Sequence, residues 1–363
     1  MTPEDILSGI HADAMDCLQV NLAVLADAAH GPGTHLRLGA MMRFTPKWTD
    51  PPTVSSTVDE RLCEAESLLG LVVTERHHDT DRLLADRRTH YVVADAYTLP
   101  WTPYFQQRHM DHSFLVDAGA DEVVVTDAYH NDTQWGAARP TILTLRQDEL
   151  RAILSGQRVT SLLVQAGRLP SAAPDPAPPD PGMVSRYVAA YRELPDRVEA
   201  WDRLTLETWL LARQHLLNAV ATGTSEAADP WRRLAQQAFV GGRRLAAGRA
   251  EPVELFTALE ELLLGHKCSR KVTASTADSA LRAQVVATIA DVLRLPREVV
   301  LGAARLADLP QFNSFRLVDV LARLEGATGV VVPGTELTAE TLTSVESLTA
   351  LLARCAEREV SHA

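Results

Sequence analysis

His112-Ser113-Phe114-Leu115-Val116-Asp117, then Gly119-Ala120-Asp121, then Glu122-Val123-Val124-Val125-Thr126-Asp127, is the stretch on which the reading of this fold turns. Two β-branched, apolar runs are separated by small turn residues, the pattern of a β-hairpin. A hairpin sets the start of its first strand beside the end of its second, so His112 and Asp127 are expected as cross-strand neighbours. Tyr91-Val92-Val93-Ala94 before the hairpin and Ile142-Leu143-Thr144-Leu145 after it read as further strands, with a helix beginning near Gln147. Upstream, Cys17, Val20, Leu22, Leu25 and Ala28 recur at helical spacing, and His30-Gly31-Pro32-Gly33 stops the run. Asp13 or Asp16 stands where a helix cap is needed. A helix followed by an antiparallel sheet is an α+β layout.

Farther out, the texture changes. Pro170-Ser171-Ala172-Ala173-Pro174-Asp175-Pro176-Ala177-Pro178-Pro179-Asp180-Pro181-Gly182 lacks amide donors and fixes φ at each proline, so residues 170–182 read as a linker. Helical periodicity follows over 183–266. A short polar break through Lys267–Thr276 then leads to a third part at 277–358. Domains are therefore expected at 1–169, 183–266 and 277–358.

The composition narrows the function. The 363 residues carry a net charge of −12, which disfavours a phosphate backbone as partner, so no nucleic acid is expected. No apolar run is long enough for a membrane span, and Met1-Thr2-Pro3-Glu4-Asp5 is acidic where a signal peptide is basic, so a cytoplasmic protein without a membrane partner is expected. Cys17, Cys63, Cys268 and Cys355 are scattered, without metal-ligand spacing. His77-His78-Asp79 has no further ligand near it in sequence, so no metal site is expected.

A nucleophilic cysteine needs a base within reach and a group that orients the base. Cys17 near a helix start, His112 entering a strand and Asp127 ending the paired strand supply those roles in order. Cysteine opening a helix and histidine on a sheet form the papain-like arrangement. The bland alternative is that Cys17 is a small buried hydrophobe. Cys63, Cys268 and Cys355 read as structural.

The last part has its own plan: a helix from Asp278 to Leu295, a loop through Gly302 and Leu309-Pro310, a helical run from Gln311 to Glu325, and a final helix from Ser344 to Ala356. It resembles an acyl or peptidyl carrier protein over about eighty residues. In that family, Asp-Ser-Leu or Asp-Ser-Phe opens the second helix; here Asn313-Ser314-Phe315 stands there, with asparagine for the usual aspartate. The resemblance implies a four-helix bundle with phosphopantetheine attached to Ser314 by a phosphopantetheinyl transferase. The alternative is that Ser314 is only a capping serine.

The first part gains a resemblance from Val93-Ala94-Asp95-Ala96-Tyr97-Thr98-Leu99-Pro100-Trp101, followed by Tyr104, His109, His112 and Asp127. These residues look like the butirosin biosynthesis protein H N-terminal family, over roughly 8–150 with 31–60 outside the likeness. The resemblance implies a papain-like fold, often followed by a helical domain. It also implies acyl transfer from a carrier-protein thioester through a cysteine to an amine. Carried over, Cys17 is the nucleophile, His112 the base and Asp127 its orienting group. His109, Asp95 and Tyr104 are candidate substrate contacts, with Asp95 also open to a structural role. Two positions depart from the pattern. Asp16 precedes the cysteine where the family has a histidine or small residue, and would raise the thiol pKa if it pointed inward. No glutamine stands upstream to supply an oxyanion donor, which leaves the Cys17 amide for that role.

The expectation is an α+β papain-like domain, an all-α helical subdomain and a four-helix carrier bundle in one chain. Tethering the carrier raises the local concentration of thioester at Cys17. The first reading is an acyltransferase of specialised-metabolite (antibiotic-type) biosynthesis, with an acyl-loading enzyme or upstream synthase and an amine acceptor as partners. The second is a thioesterase or other hydrolase using the same residues. The third is a non-catalytic carrier and docking protein with a degenerate papain-like domain.

Overall fold

A computed structural model describes residues 3–40, 44–171, 179–265, 279–338 and 341–362. Most of the expected linker and the second break, with Cys268, lie outside the described residues. The fold is mixed α+β with an antiparallel sheet. Contacts gather the chain into two compact units. Unit one is Met1–Phe44, Val54–Pro178 and Leu210–Ala228; unit two is Thr45–Thr53, Pro179–Trp209 and Asp229–Ala363. Residues 210–228, assigned by sequence to the helical subdomain, thus pack within unit one.

Unit one begins with helices α1 (Pro3–Gly9), α2 (Cys17–His30), α3 (Arg37–Ala40) and α4 (Val58–Glu64). It continues with β1 (Leu71–His77), α5 (Thr80–Ala85), β2 (His90–Asp95), β3 (Asp111–Ala118), β4 (Glu122–Asp127), β5 (Asn131–Thr133), β6 (Gly136–Ala138), β7 (Thr141–Arg146), α6 (Gln147–Leu154) and β8 (Thr160–Ala166). Six strands form one sheet in the order β1-β8-β2-β3-β4-β7, every pair antiparallel. β5 and β6 pair separately as a small hairpin.

The sheet is covered on one face by α5 and α6. Leu83, Leu84, Leu150 and Leu154 close over Val92, Ala94, Phe114, Val116, Val123 and Val125 there. Period-two alternation sends Tyr91 and Ser113 to the other face. There Tyr91 donates its hydroxyl proton to the Leu18 carbonyl of α2 at 2.9 Å. Two glycines mark close approaches. Gly39 lies so near Leu217 that a Cβ would come within 2.4 Å of that carbonyl oxygen. Gly70, at φ 64°, leads into β1 where a Cβ would meet the Arg168 carbonyl at 2.8 Å. The Gly167 amide bonds the Gly70 carbonyl at 2.7 Å, joining the end of β8 to the start of β1.

Unit two is built from helices. In chain order they are α7 (Pro181–Glu193), α8 (Arg197–Thr222), α9 (Asp229–Ala246), α10 (Glu254–Leu263), α11 (Ser279–Leu293), α12 (Arg297–Gly302), α13 (Ser314–Thr328) and α14 (Val345–His362). α8 gives its residues before Leu210 to unit two and the later ones to unit one. Trp201 is fully buried beside Phe256, ring centroids 5.8 Å apart, and Glu251 accepts its indole N–H at 2.9 Å. A second apolar core gathers Val285, Ile289 and Leu293 of α11, Leu317, Leu321 and Leu324 of α13, and Leu348, Leu351 and Leu352 of α14.

Candidate active site

The site begins with a helix cap. The first four amides of a helix have no acceptor inside it. Asp16 is the N-cap of α2, and its Oδ1 accepts from Leu18 and Gln19 at 2.9 and 2.8 Å, while its carbonyl takes Val20 at 3.1 Å. That leaves the amide of Cys17, the first residue of α2, at the positive end of the helix macrodipole. Asp16 does not bring a bare charge to the thiol. Its other oxygen lies 2.5 Å from the buried guanidinium of Arg61, which also binds Glu64 at 2.7 Å. Cys17 is 6% exposed, and its thiol donates to the Asp111 carbonyl at the start of β3 at 3.5 Å.

One turn on, Asn21 fixes α2 to the sheet. Its amide donates to the Ser113 carbonyl and hydroxyl at 2.8 and 3.0 Å, and its carbonyl accepts from the Ala128 amide at 3.0 Å. Ser113 donates in turn to the Cys17 carbonyl at 2.5 Å. The cysteine is therefore held directly by Asp111 and Ser113 of β3, which flank His112, and α2 is held through Asn21 by Ala128, which follows Asp127.

The β3·β4 register pairs Leu115 with Thr126, so one further step sets Asp127 opposite Phe114, two residues from His112 on the same face. Within this diagonal relation the His112 Nε2–H donates to Asp127 Oδ2 at 2.8 Å. Both side chains are buried, His112 at 0% and Asp127 at 4% exposure. Trp101 Nε1–H donates to the same carboxylate oxygen at 3.1 Å, and the Tyr129 amide holds the other at 3.0 Å. His112 Nδ1 is buried with no hydrogen-bond partner among the described residues. Burial opposes a charge on His112, but the carboxylate of Asp127, with a smaller contribution from the Cys17 sulfur, outweighs it and raises the imidazole to about 10. With Nε2 committed to Asp127, Nδ1 is the nitrogen left to exchange a proton with sulfur.

The expected substrate contacts divide. Tyr104 belongs to the buried cluster: its hydroxyl lies 3.2 Å from that of Tyr129 and accepts from Asn131 at 3.1 Å. The Tyr129 ring meets His112 edge-on at 5.3 Å. Burial raises both phenols, so they remain neutral donors. His109 lies on the loop before β3, 73% exposed, stacked on Tyr97 at 4.1 Å and donating to Asp95 at 2.5 Å. Asp95 organises that loop, accepting from the amides of Tyr97 and Met110 at 3.0 and 3.1 Å. Burial pushes its carboxyl up, and the bonds from His109 and these amides more than reverse it. His77, His78 and Asp79 separate: His77 is buried, His78 Nδ1–H donates to the Val159 carbonyl at 2.9 Å, and Asp79 caps α5. No group of three or more metal-ligating side chains gathers among the described residues.

In unit two, α13 opens at Ser314, whose side chain lies outside the described ones. The cap is Asn313, not Ser314: its side chain accepts from Arg316 at 3.0 Å and its carbonyl from Leu317 at 3.0 Å. The amides of Ser314 and Phe315 remain at the helix start, donors that suit a phosphodiester. This gives Asn313 a physical reason, since asparagine caps about as well as aspartate.

Three residues of the site carried no role in the sequence reading. Asn21 had a signal, a polar side chain four residues after Cys17 on a buried helical face. Trp101 lay inside the quoted motif, with nothing to say that its indole meets Asp127. Tyr129 follows the hairpin by two residues and had no distinguishing pattern. No protein-family model matches the chain, and no curated protein matches it. No described helix is long and apolar enough to cross a membrane.

Proposed function

We propose that this chain is a cysteine-dependent acyltransferase with a papain-like site and a carrier-protein bundle, of the kind used in specialised-metabolite assembly. The observation that carries the reading is the buried His112, bonded through Nε2 to Asp127, with the Cys17 sulfur among the groups that set its charge. His112 takes the Cys17 proton as the sulfur becomes the nucleophile. The sulfur attacks the carbonyl carbon of an acyl thioester and the Cys17 amide faces the developing oxyanion. As the carbon–sulfur bond to the donor breaks, the departing thiol takes the His112 proton. An amine then attacks the acyl-cysteine and gives a proton to His112; the bond from the acyl carbon to the Cys17 sulfur breaks, the amide leaves, and the sulfur recovers its proton from His112. Asp127, braced by Trp101 and Tyr129, keeps the imidazole turned to sulfur through both halves.

Ser314 is the residue that would hold phosphopantetheine, which when attached supplies the thiol that presents an acyl group. The amides of Ser314 and Phe315 at the start of α13, for which no acceptor stands among the described residues, suit the phosphodiester of such an arm.

Intact-protein mass spectrometry tests this reading. Full-length protein is treated with a phosphopantetheinyl transferase and an acyl-coenzyme A, with and without a diamine, and compared with Cys17→Ala and Ser314→Ala. The expected result is loading on Ser314, loss of the acyl group only when Cys17 is present, and an amide on the diamine. Loss to water alone would make the enzyme a hydrolase. A loaded arm indifferent to Cys17 would make it a carrier and docking protein, and no loading would remove the carrier reading.

A further inference from the structure

The part of α8 that belongs to unit one carries one buried arginine. Arg213 of α8 is 8% exposed. Its Nη1 donates to the carbonyls of Ala12 and Met15 at 3.1 and 2.5 Å, in the turn that delivers Asp16 and Cys17. Its Nη2 donates to the His130 carbonyl and to Asn131 Oδ1 at 2.6 and 3.2 Å, just beyond Asp127 and Tyr129. The guanidinium carbon stands 5.9 Å from the centroid of the Tyr129 ring, which in turn packs on His112.

A buried guanidinium is costly to desolvate and does not lose its charge, so its donors need strong acceptors in fixed places. Here the acceptors lie on two separate segments, one leading to the nucleophile and one leading away from the orienting carboxylate. The planar fork spans both, which a single ammonium does not.

We propose that Arg213 is the positioning residue that sets Cys17 against His112, by clamping the turn before the cysteine to the strand end after Asp127. Its effect on the reaction passes through alignment of the other three residues. The inference rests on the reading of Cys17, His112 and Asp127 as one catalytic set.

The test uses the full chain. The rate of Cys17 alkylation by iodoacetamide is followed by peptide mass spectrometry from about pH 5 to pH 11. Variants are Arg213→Met, Arg213→Lys, His112→Asn and Leu211→Ala, the last removing a buried leucine from the same helix. The wild-type profile is expected to show the ionisation of His112 at about 10. In Arg213→Met that inflection should move down by at least about one unit, and the rate at neutral pH should fall about ten- to a hundredfold. Arg213→Lys should move both in the same direction. Leu211→Ala should lower the melting temperature and leave the profile in place. A folded Arg213 variant with the wild-type profile overturns the proposal, as does Leu211→Ala shifting the profile equally. Failure of both Arg213 variants to fold also overturns it, because the residue would then serve the fold and not the alignment. His112→Asn separates the two claims: if the high-pH inflection survives in that variant, the catalytic set itself is wrong, whatever Arg213 does.

Discussion

The two reactive centres proposed for this chain are built in opposite ways. Around Cys17 the side chains of His112, Asp127, Asn21 and Ser113 are buried and tied to one another or to their neighbours: Asp127 to His112, Trp101 and Tyr129, and Asn21 to Ser113 and Ala128. At the start of α13 the surroundings face solvent. Arg316 and Gln311 are exposed, and the helix is anchored along its flank instead, by Phe315 against Phe239 at 4.6 Å and Asp319 with Arg243 at 3.2 Å. The difference follows from the chemistry. A nucleophile that works through a second and a third residue depends on sub-ångström alignment, which buried hydrogen bonds supply. A hydroxyl that another enzyme must reach depends on access, and a capped helix end supplies that with little else.

The comparison breaks first at Asp127. Asp127→Asn keeps the shape but loses the charge that holds His112 protonated, so steady-state acyl transfer should fall about a thousand- to ten-thousandfold while Ser314 loading is untouched. Equal loss of both would dissolve the distinction between the two centres.

A second effect is on stability. His112 has a folded pKa raised to about 10, above the ordinary imidazole value of about 6.5. Its contribution is therefore fully present below about pH 6.5 and is lost as pH rises through about 10. The difference in Tm between wild type and Asp127→Asn should shrink steadily from neutral pH to about pH 11; calorimetry or a fluorescence melt at stepped pH reads it, and a constant difference would show that the pair is not charged in the fold.

The smallest effect is expected at the other centre. Asn313→Ala removes one cap and should cost about 1 kcal/mol in denaturant unfolding. The rate of Ser314 loading should change by no more than about threefold, because access survives loss of the cap. A loading rate that collapsed would show that α13 needs the same kind of alignment as Cys17.

Much of this arrangement could be read from the chain. The helix after Asp16, the strands 113–117 and 122–127 and the closing strand near 142–145 all carry their period in their own residues, so local pattern suffices. β1 and β8 were not read. Leu71–His77 interleaves Thr74, Glu75 and Arg76 with only a few apolar positions, and Thr160–Ala166 holds a three-residue apolar run between polar ends. Their pairing joins segments far apart in the chain, such as Val73 with Val164. The proposed trio of Cys17, His112 and Asp127 could be picked out because two of its members lie in one hairpin and the third opens a capped helix. Arg213 was not, since it lies 198 residues from Met15, whose carbonyl it binds, and sits on a helix whose own pattern is unremarkable.

That grip also bears on how the protein can be taken apart or recombined. The proline-rich segment at 170–182 is the obvious place to cut if the first part of the chain were to be transplanted into another enzyme. A graft of residues 1–169 would carry Cys17, His112 and Asp127 and leave behind the guanidinium that spans the turn and the strand end. If the proposed role of Arg213 holds, the smallest transferable piece of this site extends at least through Arg213, and the seam suggested by the prolines is not the seam of the chemistry.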